Sequence, residues 1–229
     1  TSLQDAGRFG YQRFGVSPAG AMDRLALAAA NVLVGNGPEV GAIEFMAQGG
    51  SLVCAGAPVL VALAGGGATL AVHGKPTPAQ TSLLLQDGEM LAVGPCRIGL
   101  FAYLAVSGGF TVAPQLGSLS LHRRSGLGGL EGRALAPGDR LPYTVGTALP
   151  MHLSDDLAAD DGPIHVMLGP QDDYFPAEAI ARFLGEGYRV SSRIARMGYQ
   201  LEGPPLVAAR GHNIVSDGIV SGHVQVPGN

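Results

Sequence analysis

The chain has 229 residues and a formal net charge of −4, and only 14% of its residues are Asp, Glu, Lys or Arg. So little charge leaves much of the surface apolar, and we expect a partner, or further copies in a higher oligomer, to cover part of it. The acidic balance and the absence of a Lys/Arg stripe argue against a nucleic-acid partner.

The opening segment, residues 1–44, is rich in glycine and in polar side chains. It contains Gln4-Asp5-Ala6-Gly7-Arg8 and Gly20-Ala21-Met22-Asp23, followed by a helical pattern. Glycine permits positive φ and close approach of the backbone, and unpaired buried charges are unfavourable. This combination predicts a binding site in the opening segment.

The first helix is predicted over 22–34. Apolar residues recur there at helical spacing, and Gly35 fits the left-handed position that follows a helix. Asp23 is expected in the first turn, where the helix dipole favours a carboxylate by about 0.3–1 kcal/mol. A second short helix is predicted over 176–184, with proline in its first turn.

The longest apolar run, 51–72, approaches the roughly 20 residues of a membrane-spanning helix. Gly56, Pro58 and the Gly65-Gly66-Gly67 triplet divide it into pieces of strand length, so no membrane span is expected. Short strands separated by glycine and proline predict a mainly β fold of the sandwich or barrel class. The predicted strands are 52–54, 59–63, 69–72, 82–85, 90–93, 98–106, 164–168, 188–190, 200–201 and 224–226.

The polar stretch 154–162 is the best candidate for a linker, which places a domain boundary near residue 150. We therefore expect an N-terminal domain over 1–150 and a C-terminal domain over 151–229. Cys54 and Cys96 are isolated in apolar surroundings and lack metal-ligand spacing. With no signal peptide apparent, they are expected to be buried free thiols in a reducing cytoplasm.

Several common catalytic motifs do not occur in the sequence: the phosphate-binding loop, the Gly-x-Ser-x-Gly elbow and the His-Glu-x-x-His zinc motif. The six histidines occur singly, so no metal site is predicted. The triplet Gly65-Gly66-Gly67 is interpreted as a turn. The run 126–132 is either a turn or part of a site, because Glu131 and Arg133 add charge there.

Three polar clusters remain as candidates for chemistry. The first is in the opening segment, the second is 169–173 and the third is 196–199. Arg binds a carboxylate with paired donors, Gln and Asn recognise an amide, and Asp holds a proton or orients water. The clusters favour recognition of a small amide or carboxylate in one shared cleft. The alternative is that the aspartates form Asx turns and the arginines make structural ion pairs.

These residues resemble a known family, the carboxyltransferase-type proteins called KipA, allophanate hydrolase subunit 2 or the C subunit of bacterial 5-oxoprolinase. The resemblance extends over nearly the whole chain. It rests on Gln4-Asp5-x-Gly7-Arg8-x-Gly10, Gly15-Val16, Gly20-Ala21-Met22-Asp23, Asn31, Gly35-Asn36, Glu44, Gly126-Leu127-Gly128-Gly129, Glu131-Gly132-Arg133, Gly169-Pro170-Gln171-Asp172, Arg196-Met197-Gly198-Tyr199, Leu201-Glu202-Gly203 and Val224-Gln225-Val226-Pro227.

The resemblance implies tandem cyclophilin-like β-barrel domains with a few short helices. It also implies a heteromeric enzyme, inactive when this chain is alone, that hydrolyses 5-oxoproline to glutamate using ATP. The implied partners are the KipI-like B subunit and the A subunit of 5-oxoprolinase. Asp5, Arg8 and Asp23 are the expected catalytic residues. The expected substrate-binding residues are Gln4, Asn36, Glu44, Glu131, Arg133, Gln171, Asp172, Arg196 and Tyr199.

Some positions depart from the family pattern. Ile194-Ala195 replaces the usual Ser-Asn/Asp, and Gln200 stands where arginine is common. The final Gly- and Thr-rich segment is not in this sequence, so the second barrel is expected to be incomplete. No nucleotide loop is recognisable, which leaves ATP on another chain of the complex. The alternatives are a urea carboxyltransferase or allophanate hydrolase component, with biotin on another chain, and a non-enzymatic regulator that binds KipI.

Overall fold

The computed structural model describes residues 1–78, 80–154 and 162–228. The chain forms two compact units, Thr1–Asp160 and Asp161–Asn229. Strands are the main regular elements of the described residues, and helices are few and short. The predicted mainly β fold with few short helices is confirmed.

The first unit contains two antiparallel sheets. The five-stranded sheet has the order β1-β2-β9-β4-β7 and is built from β1 (Ser2–Gln4), β2 (Ala42–Met46), β4 (Val59–Ala64), β7 (Leu83–Leu85) and β9 (Phe101–Val106). The four-stranded sheet has the order β3-β8-β5-β6 and is built from β3 (Gly50–Val53), β5 (Leu70–Val72), β6 (Lys75–Pro76) and β8 (Met90–Val93).

The central strands β4 and β9 of the five-stranded sheet are buried on both faces. Alternate residues of β4 and β9, such as Val61 and Leu104, enter a core shared with Leu91 of the four-stranded sheet. The intervening residues, such as Ala62 and Tyr103, face a second core that is completed by a helix. Because successive strand residues point to opposite faces, double-sided burial requires a continuous apolar run rather than an alternating one.

That helix, α1, runs over Arg24–Leu33 and packs against β4 and β9. Asp23 is its N-cap, not a residue of its first turn, because the Asp23 side chain accepts a hydrogen bond from Ala26 N at 2.9 Å. Small residues on the facing strands, including Ala62 and Ala105, let the helix approach the sheet closely. Gly35 follows the helix with φ of 74°, as predicted.

The second unit contains α2 (Ala177–Gly185) and a hairpin of β10 (Arg189–Ala195) and β11 (Gly198–Glu202). A short 3-10 helix covers Asp172–Tyr174. Pro176 is the N-cap of α2 rather than a residue of its first turn, and Gly185 is its last residue. No helix in the described part of the chain is long and apolar enough to cross a membrane.

The predicted strands agree with the structure best where apolar runs are longest, as in β4, β8 and β9. Strands β1, β2 and β6 were not predicted, since they are short or contain polar residues such as Gln4 and Glu44. The strands predicted at 164–168 and 224–226 are wrong: neither segment pairs with a strand in the described part of the chain, and Ile164 is 91% exposed. A β-branched apolar run forms a strand only when a neighbour satisfies its backbone.

Both cysteines are free thiols and Cys54 is buried, as predicted, whereas Cys96 is only half-buried. The linker at 154–162 lies largely outside the described residues. The domain boundary near residue 150 therefore stays a prediction.

Burial of the β9 face that packs against the four-stranded sheet is tested by Leu104→Ala. Leu104 is 2% exposed, so the substitution should lower the free energy of unfolding by about 2–5 kcal/mol through lost contacts and a cavity. Urea unfolding followed by circular dichroism measures the change. Leu84→Ala is the matched control on β7, because Leu84 is 51% exposed and its truncation should change stability by about 0.5 kcal/mol or less. Equal losses would contradict the assignment.

Candidate functional site

Asp5 is the centre of a hydrogen-bond network just after β1. Its Oδ1 accepts bonds from Ser118 Oγ (2.6 Å), Ser120 Oγ (2.5 Å) and Gly7 N (2.8 Å), and its Oδ2 accepts one from Leu119 N at 2.6 Å. Burial alone would raise the pKa of Asp5, but these four donors outweigh it and hold the pKa below its ordinary value. The carboxylate therefore stays ionised and joins two distant segments of the chain.

Arg8 lies beside this network and is 1% exposed. Its Nε donates to Gln115 O at 3.4 Å, and its Nη2 donates to Ser120 O. Burial lowers the pKa of the Arg8 guanidinium, and the nearby Asp5 charge partly offsets that effect. A Cβ at Gly128 would lie 2.5 Å from Arg8 Nη2, and Gly128 has φ of +69°, so glycine allows the loop to close over the guanidinium.

Glu44 and Tyr103 hold the start of α1. Tyr103 Oη donates to Glu44 Oε2 at 2.7 Å and accepts from Asp23 N at 2.9 Å. Glu44 Oε2 also accepts from Met22 N at 3.2 Å. This pair fixes the backbone of residues 22 and 23 and leaves the Asp23 residue exposed to solvent.

The two predicted amide side chains of the opening segment, Gln4 and Asn36, make internal contacts. Gln4 Nε2 donates to Leu121 O at 3.4 Å. Asn36 Nδ2 donates to Asn31 Oδ1 at 3.0 Å and to Val106 O at 2.8 Å. Both side chains thus tie loops to the sheet in this structure, and their contact with a substrate stays a prediction.

Glu131 and Arg133 lie on the surface of the first unit. Arg133 makes a bidentate pair with Asp139, with Nη1 to Oδ2 at 2.7 Å and Nη2 to Oδ1 at 2.8 Å. Hydrogen bonds from Arg133 lower the pKa of Asp139 to about 2. Glu131 Oε2 lies 3.5 Å from Arg133 Nη2. Asp139 was not among the predicted site residues, and it occupies the donors that Arg133 would offer a ligand.

A cleft of about 190 Å³ lies beside α1 in the first unit. Arg24 lines it, donates from Nη2 to Ala6 O at 3.1 Å, and places its guanidinium over the Phe9 ring at 5.7 Å. Glu39 lies on its wall. The cleft therefore carries both signs of charge close to the opening segment.

The second unit holds the remaining predicted residues. Gln171 lines an open cleft of about 390 Å³ together with Tyr174 and residues 214–217. Asp172 begins the short 3-10 helix, Arg196 lies in the turn between β10 and β11, and Tyr199 lies on β11. The polar clusters at 169–173 and 196–199 belong to this unit and the opening cluster to the other, so a single shared cleft stays a prediction.

Parts of the first cluster are held by residues that the sequence pattern did not identify, whereas Asn36 follows the opposite end of α1 from Asp23. Ser118 and Ser120 bind Asp5, and Tyr103 links Glu44 to Asp23. The Ser-Leu-Ser alternation at 118–120 was an available signal, since a period of two places both hydroxyls on one side of an extended chain. Nothing in the local sequence pairs that segment with Asp5.

The described residues offer neither a metal centre nor a phosphate-binding loop. No group of three or more His, Cys, Asp or Glu side chains among them is arranged to hold a metal ion. The Gly65-Gly66-Gly67 triplet connects β4 to β5 and carries positive φ at all three residues. It is therefore a turn between strands, whereas a phosphate-binding loop leads from a strand into a helix.

Comparison with known proteins places these observations in a family. The model of the carboxyltransferase domain, subdomains A and B, matches residues 14–229. The C subunit of the Haemophilus influenzae 5-oxoprolinase is 33% identical over 99% of this chain and 73% of its own length. The C subunit of the Escherichia coli 5-oxoprolinase is 34% identical over 100% of this chain and 74% of its own length.

Solved structures give the same result. The crystal structure of TTHA0988 superposes with a TM-score of 0.85 and 31% identity, over 100% of this chain and 45% of that one. The urea amidolyase of K. lactis superposes with a TM-score of 0.76 and 29% identity, over 91% of this chain and 14% of the larger enzyme. The chain thus spans less than half of these solved proteins.

The Asp5 network predicts a defined acid response. Because the folded-state pKa of Asp5 is lowered, its contribution to stability is present above the ordinary value of 3.8 and is lost as pH falls through the lower folded value. In Asp5→Asn, the side-chain NH2 group would face N–H and O–H donors that now bind a carboxylate oxygen. The free energy of unfolding at pH 7 should therefore fall by about 1–3 kcal/mol. Urea unfolding at pH 7 and at pH 3 measures both effects.

The Asn variant should also show a smaller loss of stability on acidification than the wild type. Asp87→Asn is the matched control, because Asp87 is an exposed turn residue that accepts a bond from Gly56 N at 2.8 Å. An acid response of Asp5→Asn that matches the wild type would contradict the role of this carboxylate.

The Tyr103 hydroxyl is predicted to order the start of α1. Tyr103→Phe removes the donor to Glu44 and the acceptor for Asp23 N, so stability should fall by about 1–3 kcal/mol. Amide hydrogen exchange at residues 22–26 should speed up beyond that global loss. Tyr11→Phe, at a partly exposed tyrosine of the same unit, serves as the control. Unchanged exchange in Tyr103→Phe would show that the helix start does not depend on this hydroxyl.

Proposed function

The chain belongs to the carboxyltransferase-domain family that includes the C subunit of 5-oxoprolinase, and from this premise we propose that it is the corresponding component of an ATP-dependent 5-oxoprolinase. In this role it hydrolyses 5-oxoproline, a cyclic amide, to glutamate together with the KipI-like B subunit and the A subunit. The observation that carries the proposal is the 33–34% identity over 99–100% of the chain to two proteins of that name.

Asp23 is the best placed of the three predicted catalytic residues. It is exposed, and its backbone is fixed by Tyr103 and by the start of α1. A carboxylate in this position is suited to steer a water molecule toward an activated amide carbonyl. Asp5 and Arg8 are turned inward onto residues 115–120, so we propose that they hold the loops around the site.

ATP is proposed to bind on another chain of the complex. The turn at 65–67 joins two strands, and the loop at 126–132 precedes no helix. Neither of these described glycine-rich segments therefore forms the strand, loop and helix that cradle phosphates. The role proposed for this chain is binding and orientation of the amide.

The exposed apolar residues support a role within a complex. On α1, Leu25 is 66% exposed and Val32 is 44% exposed, and their spacing of seven residues places them on one side of the helix. Phe9 and Phe14 in the opening segment are also exposed. Such side chains are suited to contact a partner protein.

The second candidate is a carboxyltransferase component of urea degradation. It is favoured by the superposition on the urea amidolyase of K. lactis. In this alternative the biotin acceptor lies outside residues 1–229, because no Met-Lys-Met occurs among them.

Reconstitution separates these candidates. The chain is combined with the purified A and B subunits, and ADP release is measured with 5-oxoproline and, in a second arm, with urea plus a biotin carboxylase. We expect turnover with 5-oxoproline only when all three proteins are present. Turnover in the urea arm but not with 5-oxoproline would replace the proposal with the second candidate. Tight KipI binding without turnover in either arm would indicate a regulator.

Asp23→Ser tests the catalytic carboxylate without removing the helix cap, because serine is also a good N-cap. If Asp23 acts on water, turnover in the assembled enzyme should fall about 100-fold or more, while the melting temperature changes little. Asp87→Ser is the control at an exposed carboxylate on a surface turn. Wild-type turnover in Asp23→Ser would restrict Asp23 to capping α1.

A further inference from the structure

In the described part of the first unit, Arg8 Nη1 and His122 Nδ1 are among the buried polar atoms that have no hydrogen-bond partner. The Arg8 side chain is fully buried, and an unsatisfied donor of a charged group is strongly unfavourable in the interior. Native proteins satisfy such groups with a ligand or an ordered water.

The orientation of Arg8 Nη1 is fixed by its neighbours. Nε and Nη2 of the same guanidinium donate to the carbonyls of Gln115 and Ser120. Asp5, the nearby carboxylate, is already bound by four other donors. The remaining donor of Arg8, Nη1, therefore has no protein acceptor among the described residues.

His122 lies two residues after Ser120, at the base of a tight hairpin. Its backbone N donates to Leu127 O at 2.7 Å. The exposed tip of this hairpin carries Arg123 and Arg124. Arg8 Nη2 donates to Ser120 O, two residues before His122, and burial, then Arg8 and then Arg124, lower the pKa of His122. In a chain of net charge −4, this is a local concentration of positive charge.

We propose that Arg8 Nη1 and His122 Nδ1 form an oxyanion-binding site under the 122–127 hairpin, for a carboxylate or a phosphate group. An oxyanion supplies acceptor oxygens for both nitrogens, with the proton of His122 on Nδ1. The positive tip of the hairpin attracts the same ligand by its field. The site goes beyond the proposed amide hydrolysis, because binding here needs neither a partner protein nor turnover.

Direct binding to the full chain tests the site. The ring resonances of His122 are followed by NMR while inorganic phosphate, acetate, 5-oxoproline or neutral 2-pyrrolidinone is added. We expect a saturable shift and a raised His122 pKa with at least one oxyanion, because a neighbouring anion favours the imidazolium. No shift is expected with 2-pyrrolidinone, which has the lactam ring without the carboxylate.

The arms distinguish the source of the oxyanion. Saturation with acetate and 5-oxoproline but not phosphate assigns a carboxylate site, and the reverse assigns a phosphate site. No saturable shift with any oxyanion would overturn the proposal and leave an ordered water as the partner of both atoms. Because turnover is not measured, this failure would not affect the proposed reaction.

Variants then locate the site by isothermal titration calorimetry with the probe that bound. His122→Phe keeps a ring and removes Nδ1, so affinity should fall about tenfold, the loss expected for a bond to a charged group. Arg8→Lys should abolish binding. If that variant does not fold, His122→Phe alone decides. Arg140→Gln, at an exposed arginine outside the hairpin, should bind as the wild type does. Wild-type affinity in His122→Phe would overturn the assignment.

Discussion

The ionised carboxylate of Asp5 is the interaction on which the candidate site depends. It joins the segment after β1 to residues 118–120, which lie more than 110 positions away in sequence. Two hydroxyls and two backbone N–H groups donate hydrogen bonds to it, which keeps it charged inside the protein. Arg8 is fixed in turn by carbonyls of the same distant loop. One short polar segment therefore organises both the opening of the chain and the hairpin above it.

The burial of the central strands explains why the polar candidate residues lie away from β4 and most of β9. Because β4 and β9 are covered on both faces, their residues leave no room for a ligand. Glu44 and Tyr103 are the informative exception on the helix side, where they face the first turn of α1 rather than apolar side chains. This buried pair accepts hydrogen bonds from the backbone N–H groups of Met22 and Asp23. The Asp23 residue itself is exposed.

The sequence was most informative where local pattern and burial agree. The apolar runs of β4, β8 and β9 and the helix α1 were predicted because periodicity and punctuation by glycine and proline are local signals. The cluster of Gln4, Asp5 and Arg8 was also recognised locally. Its partners Ser118 and Ser120 were not, because only tertiary pairing brings them near. The failed strands at 164–168 and 224–226 show the same limit, since strand formation depends on a neighbour that the local sequence does not specify.

Gly128 is a position after the 122–127 hairpin at which no other residue fits, whereas the hairpin tip is exposed. Any side chain at position 128 would collide with Ser120 O and with the Arg8 guanidinium. The exposed tip at 123–125 has no such restriction. Substitutions at the tip can therefore alter its charge without disturbing the close contact between Gly128, Ser120 O and the Arg8 guanidinium.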